Sequence, residues 1–288
     1  MTIFELVRIA LDELYAEAAE SYGSKADAQI SSQIACLQST LRNLNRGEPN
    51  PTIYKDPTVR FAYVFKYVTS HADYVVQILQ KLRQKLDGSI FDKESIRVSC
   101  VGGGPGSDLI GLLKYLDENH ELEPAKKITC YLLDREQAWA DTWTELRDKL
   151  DSSLNLNNIF QPLDVTKPET WAQQKRFLQA DLFIMSYFLS EVYALDSSGG
   201  VTAFFRGMFD QAKSGALFLY DDNGHEDFNK YFDSLFDLSL CETVISGTNM
   251  KLTPRYSEEK SALGDYLNKF GQSPKLGSHV SYRVIRKL

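Results

Sequence analysis

The chain has 288 residues, 43% hydrophobic and 25% charged, with a formal net charge of -7. That length suits one α/β domain with a sizeable cap, and the acidic balance argues against a broad nucleic-acid surface, which needs a basic footprint. The four cysteines, Cys36, Cys100, Cys130 and Cys241, are scattered without a CxxC pair. They read as buried thiols of a reducing compartment, with neither a disulfide framework nor a zinc site.

From the first residues onward the pattern is helical. Thr2 and Glu5 have the spacing of a capping box, and Leu6, Ala10, Leu14 and Ala18 fall on one stripe. An amphipathic helix is expected there, not a signal peptide, because Glu5, Asp12 and Glu13 interrupt the apolar segment. No run approaches the ~18 apolar residues of a membrane span. A cytoplasmic protein is expected, with the nucleus left open. A second helix is expected over 26–45. NRGEPNPTIYKDP then breaks the pattern with three prolines and a glycine. A long helix follows over 60–86, its C-terminal end basic as the helix dipole prefers. These residues make an all-helical cap, 1–90, ahead of a core over 91–288.

In the core, short apolar strands alternate with helical segments. IRVSCVG, KITCYLLD, NNIFQPLDV, ADLFIMSYFL and SGALFLYDD read as strands. Each is followed by a helical pattern, including PETWAQQKRFLQ after the third. Such alternation builds a parallel sheet with helices on both faces. ETVISGTNMKL and SYRVIRKL, joined by a helical insert, suit an antiparallel hairpin at the C-terminal edge. The fold class is therefore α/β, with a seven-stranded, mostly parallel sheet.

The chemistry concentrates at VGGGPGSDL, a strand, a glycine bend and a helix start. Backbone N–H groups face a ligand at such a bend, and glycine lets that ligand approach. A phosphate-binding P-loop requires Lys-Ser or Lys-Thr after the last glycine, which is absent. A dinucleotide fingerprint requires a third glycine where Ser107 stands. Gly102, Gly104 and Gly106 give GxGxG, which suits a nucleoside presenting ribose and amino-acid atoms without a pyrophosphate. Asp134 ends the second strand, where a carboxylate can accept both ribose hydroxyls or cap the next helix. Asp164 ends the third, placed for an adenine amino group or for a simple turn before Pro168.

With VGGGPG, YLLD, QPLD, ADLFIMSYFLSEV and GALFLYDDN in order, residues 96–288 resemble the class I, Rossmann-like S-adenosylmethionine-dependent methyltransferases. The resemblance implies S-adenosyl-L-methionine as cofactor. It implies that Gly102, Gly103, Gly104 and Gly106 line the methionine moiety, and that Asp134, with Arg135 beside it, holds the ribose. Leu163 and Asp164 would flank the adenine. Ser186, Tyr187 and Phe188 would lie beside the methionine and the methyl group. Many members carry an acid where Cys100 stands, so the partner of the cofactor ammonium is open. In the cap, a hydroxyl of Tyr63 or Tyr67, or Arg60, could reach the methionine carboxylate, or the two tyrosines could form a packing stripe.

The implied reaction is in-line methyl transfer to a nitrogen or oxygen of a small molecule, a protein side chain or an RNA base. No [DN]PP[YF] follows the fourth strand and no cysteine lies in SYFLSEV, which disfavours exocyclic amino-base and covalent pyrimidine C5 acceptors. Tyr187, Glu191 and His225 are the candidate catalytic residues, with Asp221 and Asp222 as further polar groups. Lys81, Arg83 and Lys85 leave room for local RNA contact. Two alternatives stand: a non-catalytic S-adenosylmethionine-binding sensor or interaction module, and an NAD-dependent oxidoreductase suggested by the offset of Asp134 from the glycines.

Overall fold

The protein is described by a computed structural model over residues 2–43, 53–86, 90–121, 127–149, 155–255 and 257–288. Much of the Pro-rich break expected after residue 44 lies outside the described residues. The strands are β1 (Ser95–Val101), β2 (Lys127–Asp134), β3 (Leu156–Pro162), β4 (Leu182–Ser186), β5 (Leu217–Asn223), β6 (Cys241–Leu252) and β7 (Ser278–Lys287). They form one sheet in the order β3-β2-β1-β4-β5-β7-β6. The first five run parallel, and β7 pairs antiparallel with both β5 and β6. This is the Rossmann-like sheet with an antiparallel C-terminal edge hairpin.

Period-two alternation of apolar side chains on the central strands explains why both faces are covered. In β4, Leu182 and Ile184 join one apolar cluster, while Phe183 and Met185 join the other. In β5, Leu217 and Leu219 go one way, Phe218 and Tyr220 the other. The first cluster is shared with the helices that precede β1: α1 (Ile3–Tyr22), α2 (Ala26–Asn43), α3 (Pro57–Tyr63) and α4 (Thr69–Lys85). It also takes in α5 (Ser107–Glu118) and part of α6 (Ala138–Lys149). The N-terminal helices are thus held by burial against the sheet side of the molecule. Thr2 and Glu5 close the capping box at the start of α1.

Four local expectations are corrected. The helix over 60–86 is not continuous: a π-helical turn, Val64–Val68, separates α3 from α4. The helix expected over PETWAQQKRFLQ shrinks to α7 (Pro168–Trp171) and a 3-10 turn, Arg176–Gln179. α7 buries no residue, so no apolar stripe sustains a longer helix. Strand β4 stops at Ser186 because Tyr187 takes φ +53°, and α8 (Leu189–Val192) starts two residues later. Cys36 is exposed, while the other three cysteines are buried as expected. The remaining helices are α9 (Gly200–Gln211), α10 (Glu226–Asp233) and α11 (Asp265–Phe270). No described helix is long and apolar enough to cross a membrane.

Candidate functional site

Strand β1 pairs with β2 on one side and β4 on the other, so the chain leaves the sheet in opposite directions around their carboxyl ends. A crevice opens at such a switch point. Gly102 and Pro105 of the glycine bend line it. Gly102 has φ +70° and its N–H donates to the Leu133 carbonyl at 2.8 Å. Gly106 has φ +84° and caps α5. A Cβ on Gly102 would lie 2.0 Å from the Phe188 ring, and one on Gly106 2.0 Å from the Trp143 ring. Gly102→Ala is therefore expected to destabilise by about 2–4 kcal/mol, from left-handed strain plus overlap. Phe188→Ala in that background should restore part of the melting temperature, because it removes the overlap and leaves the strain.

Two acids stand at the strand tips. Asp134 Oδ2 accepts the Gly104 N–H at 3.1 Å, and its Oδ1 accepts the Glu136 N–H at 2.9 Å. Burial pushes its carboxyl up to about 6. Asp164 faces a different setting: its Oδ1 accepts from both the Thr166 N–H (3.0 Å) and the Thr166 hydroxyl (2.6 Å). Its pKa stays below the usual carboxylate range: burial opposes this, but the Thr166 bonds and Lys167 prevail. The turn role foreseen for Asp164 is thus present, with Oδ2 left 3.4 Å from the Lys167 ammonium.

Of the residues expected around the cofactor, Tyr63, Gly102, Asp134, Arg135, Leu163, Asp164, Ser186, Tyr187 and Phe188 all line this crevice. Gly103, Gly104 and Gly106 do not line it. They serve the bend itself: the Gly104 carbonyl accepts the Trp143 indole N–H at 2.6 Å, and a Cβ on Gly103 would meet Cys100. Tyr54, Trp139, Thr166 and Glu191 are among its other walls. Tyr54 was not singled out in the sequence, and Trp139 was one of two tryptophans on its helix. Arg60 is a correction. It is fully buried, with its guanidinium donating to the Ala138 carbonyl and paired with Glu17. It ties α1 and α3 to α6 and does not line the crevice, because helix packing turned it to the cap side. Cys100 Sγ lies 3.5 Å from Cys130 Sγ on the neighbouring strand, and burial raises its pKa.

A second, larger cavity of about 660 Å³ adjoins the crevice, which itself measures about 60 Å³. Tyr63, Tyr187 and Glu191 line both. The candidate catalytic residues Tyr187, Glu191 and His225 all face this larger cavity. Tyr187 is held by its N–H to the Asp221 carbonyl at 2.7 Å, and its buried hydroxyl has no hydrogen-bond partner among the described residues. Glu191 Oε1 accepts the Tyr54 hydroxyl at 3.3 Å. His225 caps α10, its Nδ1 accepting the Asp227 N–H at 3.4 Å, so it has a structural use as well. Asp221 and Asp222 lie fully buried near the carboxyl end of β5. The Ser186 hydroxyl donates to Asp221 Oδ2 at 3.0 Å, and the Ser190 N–H to Asp222 Oδ2 at 2.8 Å. They brace the loop after β4 and line neither cavity.

Sequence reasoning did not assign Lys66, Tyr67, His71, Asn249, Lys275 or His279 to this cavity, though Tyr67 was singled out beside Tyr63 in the cap. The π turn is the local cause for the first three, since its extra residue rotates Lys66, Tyr67 and His71 relative to a regular helix. Lys275 arrives from the insert between β6 and β7, where its N–H donates to the Lys66 carbonyl at 2.8 Å.

No curated protein matches the chain. Among solved structures, the N-methyltransferase NodS from Bradyrhizobium japonicum WM9, in complex with S-adenosyl-L-homocysteine, is 10% identical. The match covers 74% of this chain and 85% of that one, with a TM-score of 0.39. Human N-acetylserotonin methyltransferase, in complex with S-adenosylmethionine, is 16% identical over 87% of this chain and 66% of that one, at a TM-score of 0.35. The CurJ carbon methyltransferase is 14% identical over 96% and 70%, at 0.45. Residues 35–225 match the family model described as "Putative SAM-dependent methyltransferase". That span is well over half of the chain and takes in the glycine bend, both strand-tip acids and the loop after β4: the protein belongs to this family of S-adenosylmethionine-dependent methyltransferases.

Proposed function

We propose that the protein transfers a methyl group from S-adenosylmethionine to a nitrogen or oxygen of an acceptor held in the larger cavity. The observation that carries this reading is the contact of the two cavities at Tyr63, Tyr187 and Glu191. A methyl donor in one and an acceptor in the other would meet at that boundary.

The residues of the crevice suit an adenosyl ligand. Each Asp134 oxygen has one backbone N–H bonded to it and keeps acceptor capacity for a ribose hydroxyl. Arg135 stands beside it, and Leu163 with Asp164 offers an apolar and a polar contact for an adenine. The Gly102–Gly106 bend with Ser186, Tyr187 and Phe188 would hold the methionine end. A volume of about 60 Å³ equals a few water molecules, so the crevice would have to widen on binding. Residues 1–90 act as the cap and 91–288 as the core.

When bound, S-adenosylmethionine would supply an electrophilic sulfonium methyl, which passes in line to the acceptor atom while S-adenosylhomocysteine leaves. The protein's part is alignment and exclusion of water. Tyr187, locked by its backbone bond and left-handed φ, sets the boundary between the cavities. Glu191 is placed to receive an acceptor proton where the nucleophile carries one.

The test is a tritiated-methyl transfer assay with the full chain on cell extract divided into RNA, protein and small-molecule pools. Label is expected in one pool. Binding of S-adenosylhomocysteine by calorimetry with no label in any pool would replace this reading with a non-catalytic binding module.

A further inference from the structure

The larger cavity has a chemical character of its own. Its volume falls in the roughly 300–1,000 Å³ range of small-molecule sites. Three of the protein's four histidines, His71, His225 and His279, line it together with Lys66 and Lys275. Among the described lining residues Glu191 is the single carboxylate, and it accepts the Tyr54 hydroxyl. In a chain of net charge -7, this pocket is locally basic.

Two side chains sharpen that observation. Lys275 has no carboxylate within ion-pair distance among the described residues. Its ammonium lies 5.5 Å from the Tyr187 ring centre and 5.9 Å from that of Tyr67. Burial lowers its pKa, with Asp222 opposing from farther away. A partly desolvated cation over aromatic faces, with Asp222 acting only from beyond ion-pair distance, is a site that gains from an anion. Its backbone is pinned to the Lys66 carbonyl, and Lys66 Nζ in turn donates to the Ser273 carbonyl at 2.8 Å. The loop carrying Lys275 is therefore fixed beside the cavity.

His71 is the second. It is 2% exposed, and neither ring nitrogen has a hydrogen-bond partner among the described residues. Its ring stacks on Tyr187 at 3.7 Å with an interplanar angle of 2°. Buried polar groups without partners are rare in proteins, and one that lines a cavity points to a ligand. Burial holds the imidazole neutral, with Lys275 acting in the same direction. A neutral ring offers one N–H and one lone pair.

We propose that this cavity binds a small organic anion as the methyl acceptor: a planar, ring-sized body bearing a carboxylate or phosphate. Lys275 is its ionic anchor and His71 its buried hydrogen-bond partner. The flat body lies against the rings of Tyr63, Tyr67 and Tyr187. In taking this cavity as the acceptor side, we rest on the methyl-transfer reading above.

The test uses the full chain saturated with S-adenosylhomocysteine, titrated calorimetrically with benzoate, phenyl phosphate, neutral benzamide and cationic benzylamine. Benzoate or phenyl phosphate is expected to bind at least tenfold more tightly than benzamide, and whichever binds better assigns the anion. Lys275→Met should erase that preference and Lys275→Arg should keep it. His71→Phe, which preserves the stacking, should weaken the anion several-fold. The S-adenosylhomocysteine melting shift of each variant reports whether it is folded. Equal binding of benzoate and benzamide, or an unchanged preference in folded Lys275→Met, overturns the anion assignment alone. A wild-type protein that does not bind S-adenosylhomocysteine overturns the methyl-transfer reading instead.

Discussion

Asp134→Ala is expected to weaken S-adenosylhomocysteine binding at least about 100-fold. Hydrogen bonds to a charged acceptor are worth about 1.5–3 kcal/mol each, and under the proposed function this carboxylate would accept two ribose hydroxyls. The same side chain also holds the Gly104 and Glu136 N–H groups, so its loss loosens the bend. Asp134→Asn, which keeps one acceptor oxygen, should fall between wild type and alanine. The pH dependence has a definite sign. Burial lifts the carboxyl to about 6 in the free protein, and the ionised form is the better acceptor. Affinity should therefore be level above that pH and decline below it, approaching tenfold per unit. Calorimetry from pH 5 to 8 on wild type and both variants, beside their melting temperatures, reads all of this. An unchanged dissociation constant in a folded alanine variant would remove Asp134 from the site.

Asp108→Asn is expected to stabilise the protein strongly at pH 8, less at pH 5, and not at all below about pH 4. Asp108 occupies the first turn of α5, fully buried, and neither oxygen has a hydrogen bond of good geometry. Burial pushes its carboxyl up to about 8. The fold thus binds a proton that the unfolded chain releases near the ordinary value of 3.8. For such a group the stabilisation is complete below that unfolded value and is lost as pH rises through the folded one. Asp134 and Asp222, each raised to about 6 by burial, act in the same direction over a narrower window. Melting temperature should consequently fall from pH 5 to pH 8. The asparagine amide has the shape of the protonated acid and no charge to bury. It should raise the pH 8 melting temperature by about 4–8 °C and flatten most of the slope. Asp221, raised by burial and by the nearby Asp108, is relieved by the same change. The opposite limb has other owners. Asp56, Asp164, Asp181 and Asp196 lie below their ordinary values, each with its hydrogen-bond partners outweighing burial. Their stabilisation is present above pH 4 and lost as acid protonates them. A wild-type slope retained in the Asp108→Asn variant would mean that the native fold ionises Asp108.

The order of residues alone was enough to specify the sheet and the tips of its strands. Alternating apolar residues in ADLFIM and GALFLY specify strands buried on both faces, because the strand period is local and each face must find a helix. The bend at Gly102–Gly106 and the acids Asp134 and Asp164 were legible for the same reason: each follows directly from the end of a local pattern. The larger cavity was not legible. Its walls come from the π turn at Val64–Val68, the left-handed Tyr187 and the loop of Lys275, and Lys66 meets that loop across some two hundred residues of chain. Helical periodicity could not reveal which way Tyr67 and His71 would turn once the helix gained a residue. Nor could it show that Arg60, one turn from Tyr63, would be turned toward Glu17 and Ala138 instead. Local pattern fixes what an element is. Packing between elements far apart in the chain decides which side chains share a space, and here that decision sets the electrostatics of the pocket.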